Sequence, residues 1–333
     1  MVHRIFLRVL REVKFCFLAL ICLLNPLTEG KTLVHRDKLG RLITLEVPVK
    51  RAVVLSGCEI LPALNCWDKV AGISRWAFNE ELTRKSIERS KRKIPVMGSA
   101  SDVNLEAVLK VNPDVVITWT HKPELVKFMQ ERGLKVISID PESIKDLFNT
   151  IDLFGKLFGR EKEANNAKQR MKEIFLLISK CTKDIKPQER KRVLWLWGSP
   201  TRVAGSRSLE GWMINEIKAI NPAEGYKSTG ADVSLERIIK WNPDVIFIWG
   251  YAKYSVEDII NNPQWKTIKA VRNKAVYKAP YWSSWSPRLA LITLWMASKV
   301  YPEKFRSYDF SKICDDFYKK VFSMNHCHDN GWE

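Results

Sequence analysis

Aromatic and basic side chains recur in this sequence where short apolar runs end. Ser56 and Cys58 follow one such run, Arg75 and Trp76 a second, and Trp119 and His121 a third. In the second half the same places hold Trp197, Arg207, and the pair Trp249 and Tyr251, and a late segment carries Trp282 and Trp285. Arg288 follows Ser286-Pro287, where it either faces a pocket or anchors the start of a helix. Aromatic faces take flat or bulky groups, and arginine forks take carboxylates and other oxyanions. This is the chemistry of recognition rather than bond making. No GxSxG, HExxH, phosphate-binding loop or GxGxxG is present. His121 is a ligand contact, a base or a local hydrogen-bonding group. Cys58 is a pocket residue or a small buried hydrophobe. His326-Cys327-His328 offers metal-binding atoms but sits beside the chain end and is read as incidental. Each tryptophan, taken alone, has core packing as its simplest explanation. Their recurrence beside Gly, Ser and Arg is what favours a cleft.

The elements that must position these residues are announced by a repeat. Residues 102–119 read DVNLEAVLKVNPDVVITW and residues 232–249 read DVSLERIIKWNPDVIFIW, with ten of eighteen positions identical. One phrase seen twice at long spacing implies two equivalent lobes, whereas solenoids repeat at far shorter intervals. Two lobes joined once create a cleft, and clefts at domain interfaces bind small ligands. Around each copy, buried-type strands alternate with helical stretches. Arg51–Ser56, Lys69–Ser74, Pro95–Met97, Val115–Trp119 and Lys135–Ile139 read as strands. Helices are expected over Glu80–Arg92, Asn104–Val111, Pro123–Arg132 and Ile144–Phe158. A hairpin precedes them at Thr32–His35 and Leu42–Val47. The alternation predicts an α/β fold with a mainly parallel, wound sheet in each lobe. Arg160–Ile185 lacks Pro and Gly and carries an apolar stripe at Ala164, Ala167, Met171, Ile174, Phe175 and Ile178. It is expected to be a long amphipathic helix bridging the lobes. The organisation is therefore a signal sequence over 1–30, a first lobe over 31–158, the bridging helix over 159–186, and a second lobe with its tail over 187–333.

At 333 residues, with 46% hydrophobic and 28% charged residues, the composition is globular. The formal net charge is +18, of which +2 lies in the first thirty residues, leaving +16. Such a balance attracts nucleic acid, acidic membrane surfaces or anionic small ligands, though a Lys-rich soluble surface explains it as well. Basic residues to Lys14, the apolar Phe15–Leu24 and the turn-prone Asn25–Gly30 have the order of a secretory signal. The apolar core is shorter than the roughly twenty residues of a membrane span. Leu18–Cys22 approximates a lipoprotein signal with Ile21 where a small residue is wanted; lipidation at Cys22 and an uncleaved anchor stay open. Cys58, Cys66, Cys181, Cys314 and Cys327 follow, an odd number with no CxxC. Cys314 and Cys327 could pair and fasten the tail.

Taken together, the DKLGR…ITLEVPVKRAVVLS segment, the paired LE…NPDVVI and LE…NPDVIF phrases, the interlobe helix and SPRLALITLWMASKVYPEKF resemble one family over roughly Lys31–Phe322. It is the class III substrate-binding proteins of ABC importers, which serve ferric siderophores, haem, cobalamin and, in some members, molybdate. The resemblance implies two sandwich lobes, a rigid bridging helix and a ligand in the cleft. It also implies a glutamate on each lobe that docks onto permease arginines, and by motif position these are Glu106 and Glu236. A glutamate at a helix start is also favoured by the helix dipole alone. The implied partners are an ABC permease, its ATPase and an anionic metal complex, with iron the expected metal and no cofactor of the protein's own. Haem would want an axial ligand such as Tyr251, Tyr281 or His121. The chain is expected to act as a monomer outside the cytoplasm.

Two other classes fit the sequence less well. A chelatase or nucleotide-sugar transferase on a duplicated fold lacks any acid/base pair or phosphate loop here, and nucleotides are scarce where a signal sequence leads. A nucleic-acid-binding protein fits the charge but no recognisable binding module.

Overall fold

The computed structural model describes residues 30–325. The expected signal sequence, Cys22, Cys327 and the His326–His328 tail lie outside them, apart from Gly30. Among the described residues no helix is long and apolar enough to cross a membrane.

The chain opens with an antiparallel hairpin, β1 (Lys31–Arg36) and β2 (Leu42–Val47). The first lobe's sheet follows: β3 (Ala52–Val54), β4 (Val70–Ile73), β7 (Val115–Trp119) and β8 (Val136–Ile139), all parallel in the order β4-β3-β7-β8. A small ribbon, β5 (Gly98–Ser99) and β6 (Asp102–Val103), lies between. Helices α1 (Glu81–Ser90), α2 (Leu105–Lys110), α3 (Pro123–Gln130) and α4 (Ile144–Phe158) alternate with the strands. Helix α5 (Glu161–Thr182) then leads to the second sheet. That sheet has the order β11-β10-β9-β12-β13, from β9 (Val193–Leu196), β10 (Arg202–Ala204), β11 (Gly230–Asp232), β12 (Val245–Ile248) and β13 (Val276–Lys278). Here β9, β12 and β13 run parallel while β10 and β11 are antiparallel additions. The longer helices of this half are α6 (Leu209–Glu216), α7 (Leu235–Trp241), α8 (Leu289–Val300) and α9 (Phe310–Phe322).

The repeated phrase builds the same unit twice. Asn104 Oδ1 accepts from Ala107 N–H at 3.0 Å and Ser234 Oγ from Arg237 N–H at 3.3 Å, capping α2 and α7. Asn112 (φ 42°) and Asn242 (φ 45°) turn the chain through the left-handed region, which asparagine tolerates, and the following proline forbids further helix. The next aspartate then ties the phrase to a neighbouring strand. Asp114 Oδ2 accepts from Lys50 and Arg51 N–H at 2.6 and 2.8 Å, and Asp244 Oδ2 from Arg192 N–H at 2.8 Å. Strands β7 and β12 thereby become inner strands of their sheets.

Period-two alternation sends each strand's residues to two cores. Val53, Val116 and Val136 fill the outer face of the first sheet, and Leu194, Ile246 and Ile248 that of the second. Val54, Ile117 and Ile137 join Trp195 and Phe247 in a single inner core shared by both lobes. Helix α5 contributes Ala164, Ala167, Met171, Ile174, Phe175 and Ile178 to that core, the stripe expected from sequence, and packs on α4 and α8. Ser143 caps α4, and Gly159 (φ 63°) closes it.

Two expectations are corrected. Pro95–Met97 is not a strand; only Val96 bridges to Ile73, because Pro95 has no N–H for a ladder. The second sheet is mainly parallel as expected, with β10 and β11 as antiparallel additions at one edge. The bridging helix is shorter than Arg160–Ile185, ending at Thr182. Cys314 is buried and disulfide-bonded; its expected partner, Cys327, lies outside the described residues.

Candidate functional site

Parallel strands place their carboxyl ends on one edge, and ligands in wound sheets bind beyond that edge. The two edges face each other here. Glu59, just after β3, accepts from Tyr251 Oη at 3.3 Å and from Ser283 N–H at 2.9 Å, both in the second half of the chain. Arg207, after β10, donates through Nη2 to Glu142 Oε2, after β8, at 2.7 Å. The loops that follow β3 and β8 thus meet those that follow β10, β12 and β13.

The second lobe lines its edge with a ladder of rings. Trp197 lies 5.4 Å from Trp249, Trp249 4.9 Å from Tyr251, and Tyr251 3.9 Å from Tyr281, centroid to centroid. Such offsets and tilts suit the ring quadrupoles. Gly250 makes the last contact possible: a Cβ there would stand 2.1 Å from the Pro280 carbonyl oxygen. Tyr254 Oη donates to the Trp197 carbonyl at 2.8 Å, and Lys278 Nζ donates to the carbonyls of Ala252 and Tyr254 at 2.8 and 2.9 Å. The ladder therefore rests on tied loops. Tyr281 is exposed, and its hydroxyl is shared with the Asn79 side chain from the first lobe. Burial, then the nearby Glu80 carboxylate, push its phenol above the ordinary range. Trp285 is half-buried against the shared core.

The first lobe supplies the polar wall. His121 is exposed, stands edge-on to Trp119 at 5.1 Å, and brings Nε2 to 4.0 Å from Asp140 Oδ1. Thr120 Oγ1 donates to the other oxygen of Asp140 at 2.5 Å. Trp119 is half-buried and donates Nε1–H to the Ala100 carbonyl at 3.1 Å, turning its polar tip back into its own lobe. Trp76 is 57% exposed. Arg75 beside it donates to Asp102 Oδ2 at 2.6 Å.

Several residues that sequence reasoning placed against a ligand are placed otherwise. Arg288 is fully buried, donating Nε–H to Glu59 Oε2 at 3.0 Å and Nη2–H to Glu80 Oε2 at 2.8 Å. Arg288, at the start of α8, is thus tied to two carboxylates of the first lobe. Trp282 is buried under the Arg288 guanidinium at 4.8 Å and packs on Tyr318 at 6.0 Å. Cys58 points its thiol at the Val54 carbonyl, 3.5 Å away, and burial pushes that thiol up to about 12. It is a packed, protonated group. Ser56 is buried in the same turn.

Glu80, Glu142 and Glu210 escaped sequence reasoning. Glu210, on α6, is buried with Oε1 unpartnered and hydrogen-bonds Ser284; burial pushes its carboxyl up to about 7. Glu106 and Glu236 are exposed in the first turns of α2 and α7, at equivalent positions of the two units.

Comparison with known proteins agrees with this architecture. A family model described as "Periplasmic binding protein" matches residues 52–281. The solved structure of CeuE from Helicobacter pylori in a nickel–histidine complex is 32% identical, covers 89% of this chain and 97% of its own, and superposes with a TM-score of 0.80. The molybdate-binding protein MolA of Haemophilus influenzae is 25% identical over 96% of this chain and 99% of its own length. The haem uptake protein IsdE of Staphylococcus aureus is 25% identical over 58% of this chain and 68% of its own.

Proposed function

Because this chain belongs to the periplasmic binding protein family, in its class III branch, we propose that it is the extracytoplasmic receptor of an ABC importer, carrying a metal chelate in the cleft between its lobes. The observation that carries the reading is the stepped ladder Trp197, Trp249, Tyr251 and Tyr281, which meets the first lobe at Glu59 and Asn79, together with Arg207, which reaches across to Glu142. Flat or bulky chelating groups stack on such rings, and an anionic rim pairs with an arginine fork. Among the described residues no group of three or more His, Cys, Asp or Glu side chains is set to hold a bare ion. A metal would therefore arrive with most of its ligands already attached. A ferric, siderophore-like chelate is the leading cargo.

A nickel complex of histidine is the second reading. It is favoured by the likeness to the CeuE complex and by the exposed His121 imidazole, which could complete an open coordination sphere. In either case Glu106 and Glu236 are the docking points for the permease, one per lobe. Recognition needs no chemistry on the cargo. The shared inner core favours a small closure over a wide hinge.

Titration of the ladder's tryptophan fluorescence tests the cargo class. The reading predicts saturable binding of a ferric chelate or nickel–histidine at least about tenfold tighter than molybdate, ~1.4 kcal/mol. Binding of molybdate alone would replace the chelate with a bare oxyanion.

A further inference from the structure

Arg75 and Arg207, two of the arginines that sequence placed at strand ends, are both ion-paired, and the internal repeat tells the pairs apart. Arg75 with Asp102, at 2.6 Å, has a counterpart in Arg202 with Asp232, also at 2.6 Å. Asp102 and Asp232 hold the same position in the repeated phrase. A pair present in both lobes belongs to how each lobe is built. Arg207 with Glu142 has no such counterpart among the described residues, and it joins one lobe to the other at 2.7 Å. Both side chains reach solvent, at 61% and 27% exposure, so neither is locked in a core. Asp140, two residues before Glu142, adds to the negative field at Arg207. The guanidinium is thus filled by a carboxylate of the protein itself, in the geometry an external oxyanion would adopt.

We propose that Glu142 is a built-in competitor and latch. It occupies Arg207 in the empty protein, and an anionic cargo reaches that guanidinium only by displacing it. This rests on the cleft being the cargo site. Two consequences follow. Glu142 lowers the affinity for every anion that uses Arg207, which makes the residue a determinant of selectivity by charge. Displacing it also removes a lobe-to-lobe contact, so the charge of the cargo alters how the lobes are held.

The test uses the purified chain with three probes: ferric citrate and molybdate as anions, and nickel(II)–bis-histidine as a neutral complex. Glu142→Gln and Glu142→Ala should tighten whichever anions bind by about threefold to fivefold, the range of exposed ion pairs. Nickel–histidine should be unaffected, and Glu142→Asp should fall between wild type and Glu142→Ala. Anion binding that is unchanged or weaker in both variants overturns the proposal, as does an equal gain for all three probes. If no anion binds any variant, the cargo reading fails separately, and the latch is judged without ligand. Spin labels at Gln130→Cys and Lys227→Cys in a Cys181→Ser background then report the interlobe distance by pulsed electron resonance. Glu142→Ala should broaden that distribution, and an unchanged distribution overturns the latch.

Discussion

Arg288 Nε lies 3.0 Å from Glu59 Oε2 although the two residues stand 229 positions apart along the chain. Arg288 also reaches Glu80 at 2.8 Å, and Glu59 holds Tyr251 and Ser283 with its other oxygen. A buried group from the first lobe therefore supports the loops that carry the ring ladder of the second. Removing one partner of a buried pair leaves an uncompensated charge.

Arg288→Met should therefore destabilise the fold by about 3–5 kcal/mol, because Glu59 and Glu80 lose a shared counter-charge. Melting followed by circular dichroism should show a drop of roughly 10 °C. Adding Glu59→Gln to Arg288→Met should recover part of the loss. A melting point within a degree or two of wild type would show that the pair does not hold the lobes.

Glu210 gives stability a pH slope. Its ordinary value is 4.5 and burial raises it to about 7 in the folded protein. A raised carboxyl binds its proton more tightly when folded, so its contribution is complete below about 4.5 and is lost as pH rises toward 7, by ~3 kcal/mol. Glu210→Gln keeps the neutral form at every pH. Urea unfolding should find the variant more stable than wild type at pH 8 and nearly equal at pH 4.5. Parallel stability curves across that window would count against a buried, titrating carboxyl.

For the ladder, Trp249→Ala should weaken cargo binding by about tenfold or more, ~1.4 kcal/mol, and Arg207→Ala should do the same for an anionic cargo. Calorimetric titration with the cargo found on the native protein measures this. Trp282→Phe, in the core beneath Arg288, should reduce melting temperature while leaving affinity within about twofold. The reverse pattern would place the cargo elsewhere.

Docking is separable from capture. Glu106→Lys combined with Glu236→Lys should abolish uptake in cells while cargo affinity stays normal. The exposed side chains touch no part of the ladder in the contacts described. Loss of affinity in the purified double variant would refute the docking role.

How much of this was legible in the sequence follows from how far each constraint reaches. The repeated helix–turn–strand unit was legible because its cap, its left-handed asparagine and its proline act within a dozen residues of one another, whereas the partners of its aspartate lie far along the chain. The stripe of α5 was legible for the same reason: periodicity is local. The ladder was legible in part, since Trp197 directly follows β9 and Trp249, with Tyr251 two residues on, directly follows β12. Trp282 lies in the same segment yet turns inward, because the cation above it belongs to a buried ion pair that no spacing announces. Glu80 and Glu142 were missed because each is a single acid in an unremarkable turn whose partner lies far along the chain. Strands β10 and β11, three residues each, are too short for a period-two pattern to mark.

Native mass spectrometry with metal analysis, on protein purified from the envelope of its own host, tests the central claim most directly. The account predicts one small-molecule metal chelate per chain, released on unfolding, with iron or nickel in equal proportion to protein. Protein that carries no small molecule, and that takes up neither a ferric chelate nor nickel–histidine when offered them, would contradict it.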